Sequence, residues 1–392
     1  MDGLFPFLRA HCCSEQLIKN YHALVHADDT IIISTCREKF IRKCDHMLDY
    51  FSKNSLKLNF DKSSYFIINP LDHDREVNIL LKKGTLKYKA VQRYLGVIIS
   101  DRGSIQHDTS QFIHEKRSNV LIKFTNFCSK NFLAPLNIKL RVLDVCVASA
   151  LTYGSETWAD HCENQVEIIY RTGLRTALGI RSNINNEIVY VESGKYPLKC
   201  RISKLQLKFW LSIEDYTSRC PDSALNHLLI VANELNLPYI RWYKNLVALH
   251  VSPAGCQNNL QMQFREKWKA TFQDGANDTD SRLGTYCLIN PNLSIPGYMG
   301  KTMLETDRLI LTRFRCGSHS LMVEKGRQCN IPRDERLCPC GTGIQTVVHC
   351  FTDCTLIVPT LEKRYTNLLE VFSDDDICVM LHKVCMILKV PV

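Results

Sequence analysis

The sequence predicts an α+β fold, on three observations. Short β-branched or alternating runs occupy the stretch up to about residue 105. From about Gln106 the apolar residues recur at three- and four-residue steps, the period of amphipathic helices. Near the C-terminus, Cys338, Cys340, His349 and Cys354 cluster with metal-ligand spacing, which predicts a small zinc-binding module.

Leu24–His26 and Thr30–Ser34 flank Asp28 and Asp29, a pattern that reads as strand, tight acidic turn and strand. An amphipathic helix is expected from about Glu38 to Ser52, with Phe40, Ile41, Cys44, Met47, Leu48 and Phe51 on one side. SLKLNFDKSSYFIIN alternates and predicts a strand pair around Asp61 and Lys62. KYKAVQRYLGVIIS reads as strand and DRGS as a turn. Phe112, Lys116, Val120, Lys123 and Phe127 then mark a helix, Leu140–Leu151 is strongly apolar, and Ile168–Leu178 is helical again. Between about Arg181 and Met299 the pattern is mixed, with helices expected at Ile202–Ile213 and Leu225–Leu235. QDGANDTDSRLG (Gln273–Gly284) is the best linker candidate.

Charge and cysteine content narrow the function classes. The 392 residues carry 49 Lys+Arg against 40 Asp+Glu, a net charge of +9. Lys82–Arg141 alone holds twelve basic residues against three acidic ones, an excess of nine. Tyr88, Tyr94, Phe112, Phe124 and Phe127 lie among those charges, which suits a polyanion with rings to stack on, or else a solvated helix face. The chain holds nineteen cysteines, and its N-terminal stretch, MDGLFPFLRAHCC, is too short and broken for a signal peptide. The expectation is a chain that is not secreted, nuclear or cytoplasmic, with cysteines as core thiols or metal ligands rather than disulfides. Cys146 and Cys128 read as core. No run of about 18 apolar residues predicts a membrane span.

Two adjacent aspartates at a hairpin tip are within reach of a divalent cation, although exposed turns also use Asp for local hydrogen bonding. Their surroundings add to this. VHADDTIIIS, an amphipathic helix, SLKLNFDKSSYFII and QRYLGVIISDRGS, in that order, resemble the reverse transcriptase domain of LINE-type (non-LTR) retrotransposons. VCVASALTYGSETW, IYRTGLRTALGI and VYVESGKYPL resemble the segments that follow it, so the similarity spans about Tyr21 to Tyr365. His26 stands at the family's aromatic position before Ala-Asp-Asp. The resemblance implies that Asp28 and Asp29 are catalytic and bind Mg²⁺, with Lys62 near the incoming nucleotide as a proton donor to pyrophosphate. It implies a primer grip at Tyr94, Leu95 and Gly96, a segment that reads equally as a buried hairpin with a bulge glycine. RNA and DNA, as primer and template, are the implied partners.

The family's fingers, a third metal-binding aspartate and a Gly-rich segment precede its acidic hairpin. MDGLFPFLRAHCCSEQLIKNYHAL contains neither of the last two features. The expectation is an N-terminally truncated RNA-directed DNA polymerase that is inactive alone, or a non-catalytic nucleic-acid-binding protein derived from a retrotransposon. No endonuclease signature is visible, and Asp374, Asp375 and Asp376 read as a solvated or helix-capping run.

RLCPCGTGIQTVVHCFTDC has the spacing C-x-C-x8-H-x4-C, and three thiolates with one imidazole are a closed tetrahedral zinc set. Cys350 is a spare thiol that could substitute as a ligand. LINE-type proteins end in such a knuckle after an Arg-rich helical stretch. The resemblance therefore implies a structural Zn²⁺ and nucleic-acid contacts from Arg308, Arg313, Arg315 and Arg327. Lys116, Arg117 and Lys123 on the thumb-like helix join them as nucleic-acid-binding candidates. The four arginines read alternatively as a surface helix salted with Glu305, Asp307 and Glu324. The expected organisation is a partial palm with primer-grip hairpin at 1–105, a helical thumb-like region at 106–180, a mixed connector at 181–300, and the Arg-rich helix, zinc knuckle and tail at 301–392.

Overall fold

The computed structural model describes residues 23–26, 28–234, 240, 243–244, 252–276, 278 and 281–391. The fold is α+β: short strands and the helix Arg37–Lys53 up to Ser100, and helices from Ile105 onward. It divides into two compact units. One takes the described parts of Met1–His114, Gly154–Cys162 and Leu205–Val251; the other takes those of Glu115–Tyr153, Glu163–Lys204 and Ser252–Val392.

In the first unit, β1 (Ala23–His26) and β2 (Asp29–Ile32) form an antiparallel hairpin in which His26 pairs with Asp29. Helix α1 (Arg37–Lys53) follows, one residue longer at each end than its apolar stripe predicts. Cys44, Met47, Leu48 and Phe51 are buried on it, while Phe40 and Ile41 are half-buried. The stripe packs on a three-stranded sheet ordered β3 (Ser64–Tyr65), β5 (Gly84–Tyr88), β4 (Ile79–Leu81). Cys44, Leu48, Tyr65, Ile79, Leu81 and Leu86 form the core there.

The strand pair expected around Asp61 and Lys62 does not form. Asn59 Oδ1 accepts from the N–H groups of Asp61 (3.1 Å) and Lys62 (3.2 Å), so a side chain supplies the bonds a ladder would have made. Only Ser64 and Tyr65 join a sheet, parallel to β5. The single strand expected across KYKAVQRYLGVIIS is three. After β5 comes a hairpin of β6 (Val91–Tyr94) and β7 (Val97–Ser100), closed by Leu95 and Gly96 alone. Both turn residues have positive φ, 47° and 80°, the signature of a tight hairpin whose twist matches its strands. The strands of the described residues thus fall in three small sheets rather than one continuous palm sheet.

Helix α2 (Ile105–Lys130) begins where the pattern turns helical, but it buries Phe112, Ile113 and Phe124. Rings at Phe112 and Phe124 are therefore core, not stacking platforms for a polyanion, because they lie on the helix's packed face. In the second unit, α3 (Leu136–Val142) continues as a π-helical turn, Leu143–Ala148, and ends at Leu151. Cys128 is buried as expected; Cys146 is exposed, since the wider turn keeps Leu143 and Val147 inside and rotates Cys146 outward.

Helices α4 (Ser155–Leu178), α5 (Asn186–Ser193), α6 (Leu198–Arg219) and α7 (Ala224–Glu234) follow. The linker candidate is instead the joint between α8 (Pro253–Ala276) and α9 (Arg282–Ile289), two helices packed on each other. Ser281 caps α9 by accepting from Gly284 N at 2.9 Å. A Cβ on Gly284 would stand 2.0 Å from the Asp278 carbonyl oxygen, so glycine is required for that approach. Among the described residues, α10 (Glu305–Cys316), α11 (Met322–Gln328), α12 (Val347–Thr352), α13 (Leu368–Phe372) and α14 (Ile377–Ile387) follow. Among the described residues no helix is long and apolar enough to cross a membrane. Their cysteines form no disulfide.

Candidate metal centre

The centre is built from a knuckle, a short helix and the residue that leaves it. Leu337 bridges to Ile344, and Cys338 N donates to Gly343 O at 2.8 Å, folding Cys338–Gly343 into a tight loop. Gly341 takes φ +77° there, which a side chain would disfavour. Thr346 caps α12: its Oγ1 accepts from His349 N at 3.0 Å, fixing the first turn that carries the imidazole. At the other end Cys354 N donates to His349 O at 2.8 Å, so Cys354 is set relative to His349 by the helix's own backbone.

These pieces bring four ligand atoms together. Cys338 Sγ lies 3.7 Å from Cys354 Sγ, Cys340 Sγ lies 3.1 Å from His349 Nε2, and all four atoms fall within 4.8 Å of one another. Two thiolates each about 2.3 Å from one tetrahedral ion stand about 3.8 Å apart, so the observed thiol pair fits a shared ion. Cys338, His349 and Cys354 are buried and Cys340 is half-buried, as in a closed site. Gly343 leaves room for the ring, since a Cβ there would sit 3.3 Å from His349 Nδ1. The four residues could hold a metal ion, and the donor set is compatible with Zn²⁺.

Electrostatics agree with the geometry. Burial, followed by the neighbouring Cys340 and Cys354 thiols, pushes the Cys338 thiol up to about 12. Burial also opposes charge on Cys340, but bonds to Thr342, Cys338 and His349 outweigh it and bring that thiol down to about 5. Cys340 thus takes a negative charge readily while Cys338 resists one, an opposition that a divalent cation among the thiols would relieve. Cys350 is buried and is not among the converging groups.

No family model matches this chain, and neither a curated protein nor a solved structure does.

The other candidate residues are not among the four converging groups. Asp28 occupies the β1–β2 turn, Asp29 opens β2, and both are exposed. Among the described residues no third acid joins them in a metal-sized group. Lys62 is exposed after the Asn59 turn; Tyr94 and Gly96 are half-buried, and Leu95 is exposed. Lys123 is exposed on α2 and Lys116 is half-buried, while the side chain of Arg117 lies outside the described residues.

The Arg-rich stretch is committed inward. Arg308 is buried, forms two bonds to Glu305 (2.6 and 2.7 Å) and a third to Leu178 O (3.2 Å). Arg315 is buried against Glu192. Arg313 Nε donates to Gly179 O at 3.2 Å, and Arg327 pairs with Glu324. Lys139, counted in the basic segment, is buried with its Nζ 2.6 Å from Glu305. Asp374 accepts from Lys363 (2.6 Å) and Tyr365 Oη (2.9 Å), and Asp375 is exposed.

Two supporting residues went unread in the sequence. A Thr three positions before His349 is a cap signal, and the second glycine of Cys-Gly-Thr-Gly marks the close approach.

Proposed function

We propose that this chain is a nucleic-acid-binding protein related to LINE-type reverse transcriptases, with Zn²⁺ as a structural ion in its C-terminal module. The convergence of Cys338, Cys340, His349 and Cys354 carries the reading. The ordered run of Asp28-Asp29, Lys62 and Tyr94–Gly96 ahead of it, seen in the resemblance, supports it. Zn²⁺ would tie the knuckle to α12 and contribute folding energy rather than chemistry, because all four positions are protein ligands. RNA and DNA are the proposed partners, contacted by exposed basic residues such as Lys123. Metal analysis of the purified chain is the first test. Stoichiometric zinc that is lost on Cys338→Ser with Cys354→Ser supports the centre; absence of zinc sinks it. A gel shift with RNA and DNA at several salt concentrations tests the partner. Phosphate contacts give a log-linear loss of affinity, and salt-insensitive or absent binding removes the reading.

A second reading, RNA-directed DNA polymerase, is favoured by the Asp28–Asp29 hairpin alone. It would need Mg²⁺ held with further oxygen ligands, and two exposed aspartates without a third acid orient such ions poorly. The expected result is no primer extension with Mg²⁺. Extension that Asp28→Ala abolishes would establish the polymerase instead.

A further inference from the structure

A second candidate site lies elsewhere in the same unit. A cavity of about 390 Å³ opens between the residues that follow α4 and those that follow α10. Arg181, Arg313, Ser318, His319 and Ser320 line it with polar groups, and Ile310 and Phe314 add apolar wall. Pro391 also lines it, and among the described lining residues there is no carboxylate side chain.

The polar groups are donors. Arg181 lines the cavity, and among the described residues its buried Nη1 has no hydrogen-bond partner. A buried charged donor left unsatisfied is costly, so a site of this kind favours an acceptor. Ser318 Oγ accepts from Arg181 N at 3.0 Å, which leaves its own O–H to donate. His319 Nδ1 accepts from Leu321 N at 3.3 Å, so the neutral ring carries its proton on Nε2 and is a donor as well. Burial first, then Arg181, Arg327 and Arg282, holds His319 in that neutral form.

Charge points the same way. The guanidinium groups of Arg181, Arg282, Arg313 and Arg327 act on this corner against the Glu324 carboxylate. Glu324 is itself taken by Arg282 at 2.6 Å and by Arg327. Donors of this kind around a cavity suit an acceptor-only, charged ligand.

We propose that this cavity is a phosphate-type oxyanion site, with Arg181 as the charged contact and Ser318, His319 and Ser320 as neutral donors. The ligand is inorganic phosphate or a terminal phosphate on a nucleic-acid strand, the same chemistry from two sources. The proposal is independent of the nucleic-acid reading, because inorganic phosphate alone tests it.

The experiment is calorimetric titration of the full chain with inorganic phosphate, then with an oligonucleotide bearing a 5′-phosphate and the same strand bearing a 5′-hydroxyl. Saturable phosphate binding is expected, weakened about tenfold or more by Arg181→Gln and unchanged by Lys269→Gln, an exposed lysine paired with Glu266. Tighter binding of the 5′-phosphate strand than of its 5′-hydroxyl counterpart assigns the strand terminus as the source; equal binding of the two assigns the free ion. Should Arg181→Gln fail to fold by circular dichroism, Ser320→Ala and Arg181→Lys replace it, each expected to weaken phosphate binding measurably. Absent phosphate binding, or binding that folded variants at Arg181 and Ser320 leave unchanged, overturns the site.

Discussion

The Glu192 carboxylate receives Arg315 Nε at 2.8 Å in a pocket where Glu192 has no exposure at all. Tyr286 Oη and Tyr298 Oη donate to the same carboxylate, each at 2.7 Å, so α5, α9 and α10 are held by one buried charge. Burial and that charge push both tyrosine hydroxyls well above their ordinary range, which keeps them donors. Arg315 itself is held more firmly charged, since Glu192 overcomes the opposing effect of burial.

Removing Arg315 strands Glu192 as an uncompensated buried charge. Arg315→Met is expected to cost about 3–5 kcal/mol, read from urea midpoints, and adding Glu192→Gln should recover part of it. The salt slope of nucleic-acid binding should be unaffected in any fraction that stays folded. A stable Arg315→Met protein with a shallower salt slope would return Arg315 to the nucleic-acid surface.

That contrast shows how far the sequence reaches. Local patterns were legible: the Asp28–Asp29 hairpin, the apolar stripe of α1 and the four metal ligands all follow from spacing within about twenty residues. Long-range pairing was not. Nothing near Arg315 announces Glu192, 123 residues away, or Glu305 as the partner of Lys139, 166 residues away. Charged residues in an Arg-rich helix look alike on paper whether they face water or a buried acid. Asn59 shows the opposite failure, a short-range side-chain bond that overrode a readable strand alternation.

The metal centre predicts a division among neighbouring cysteines. Cys338→Ser should abolish stoichiometric zinc and lower the melting temperature, as should a strong chelator acting on the wild-type chain. Cys350→Ala should keep full zinc, because Cys350 is outside the converging set. Zinc lost on Cys350→Ala would show that this thiol is the true ligand.

Leu95 holds φ 47° in its hairpin turn, a region costly for a leucine and easy for asparagine. Leu95→Asn is expected to stabilise the protein by about 1 kcal/mol in a denaturant titration. If Leu95 also contacts a primer, nucleic-acid affinity should fall while stability rises. A loss of stability on this change would count against the two-residue turn.

His319 makes the stability of the fold depend on pH. Burial first, then the charges of Arg181, Arg327 and Arg282, depress its folded value to about 3 from 6.5. Below pH 6.5 the unfolded chain takes up a proton that the folded chain refuses, so acid favours unfolding. The stabilisation is complete above pH 6.5 and is lost as pH falls toward 3. At pH 5 the loss from this residue is bounded at about 2 kcal/mol, about 1.5 pH units at about 1.4 kcal/mol each. Protonation would also strip Nδ1 of its acceptor role toward Leu321 N and place a charge beside Phe314, whose ring lies 4.8 Å from the imidazole. His319→Asn keeps an acceptor in place of Nδ1 and cannot titrate. Urea midpoints at pH 7.5 and pH 5 should therefore draw closer together in the variant than in the wild type. Any metal held at the cysteine–histidine cluster would also be lost in acid, but equally in both proteins, so it cancels in the comparison. Parallel losses in the two proteins would mean that burial does not depress the His319 value in the fold.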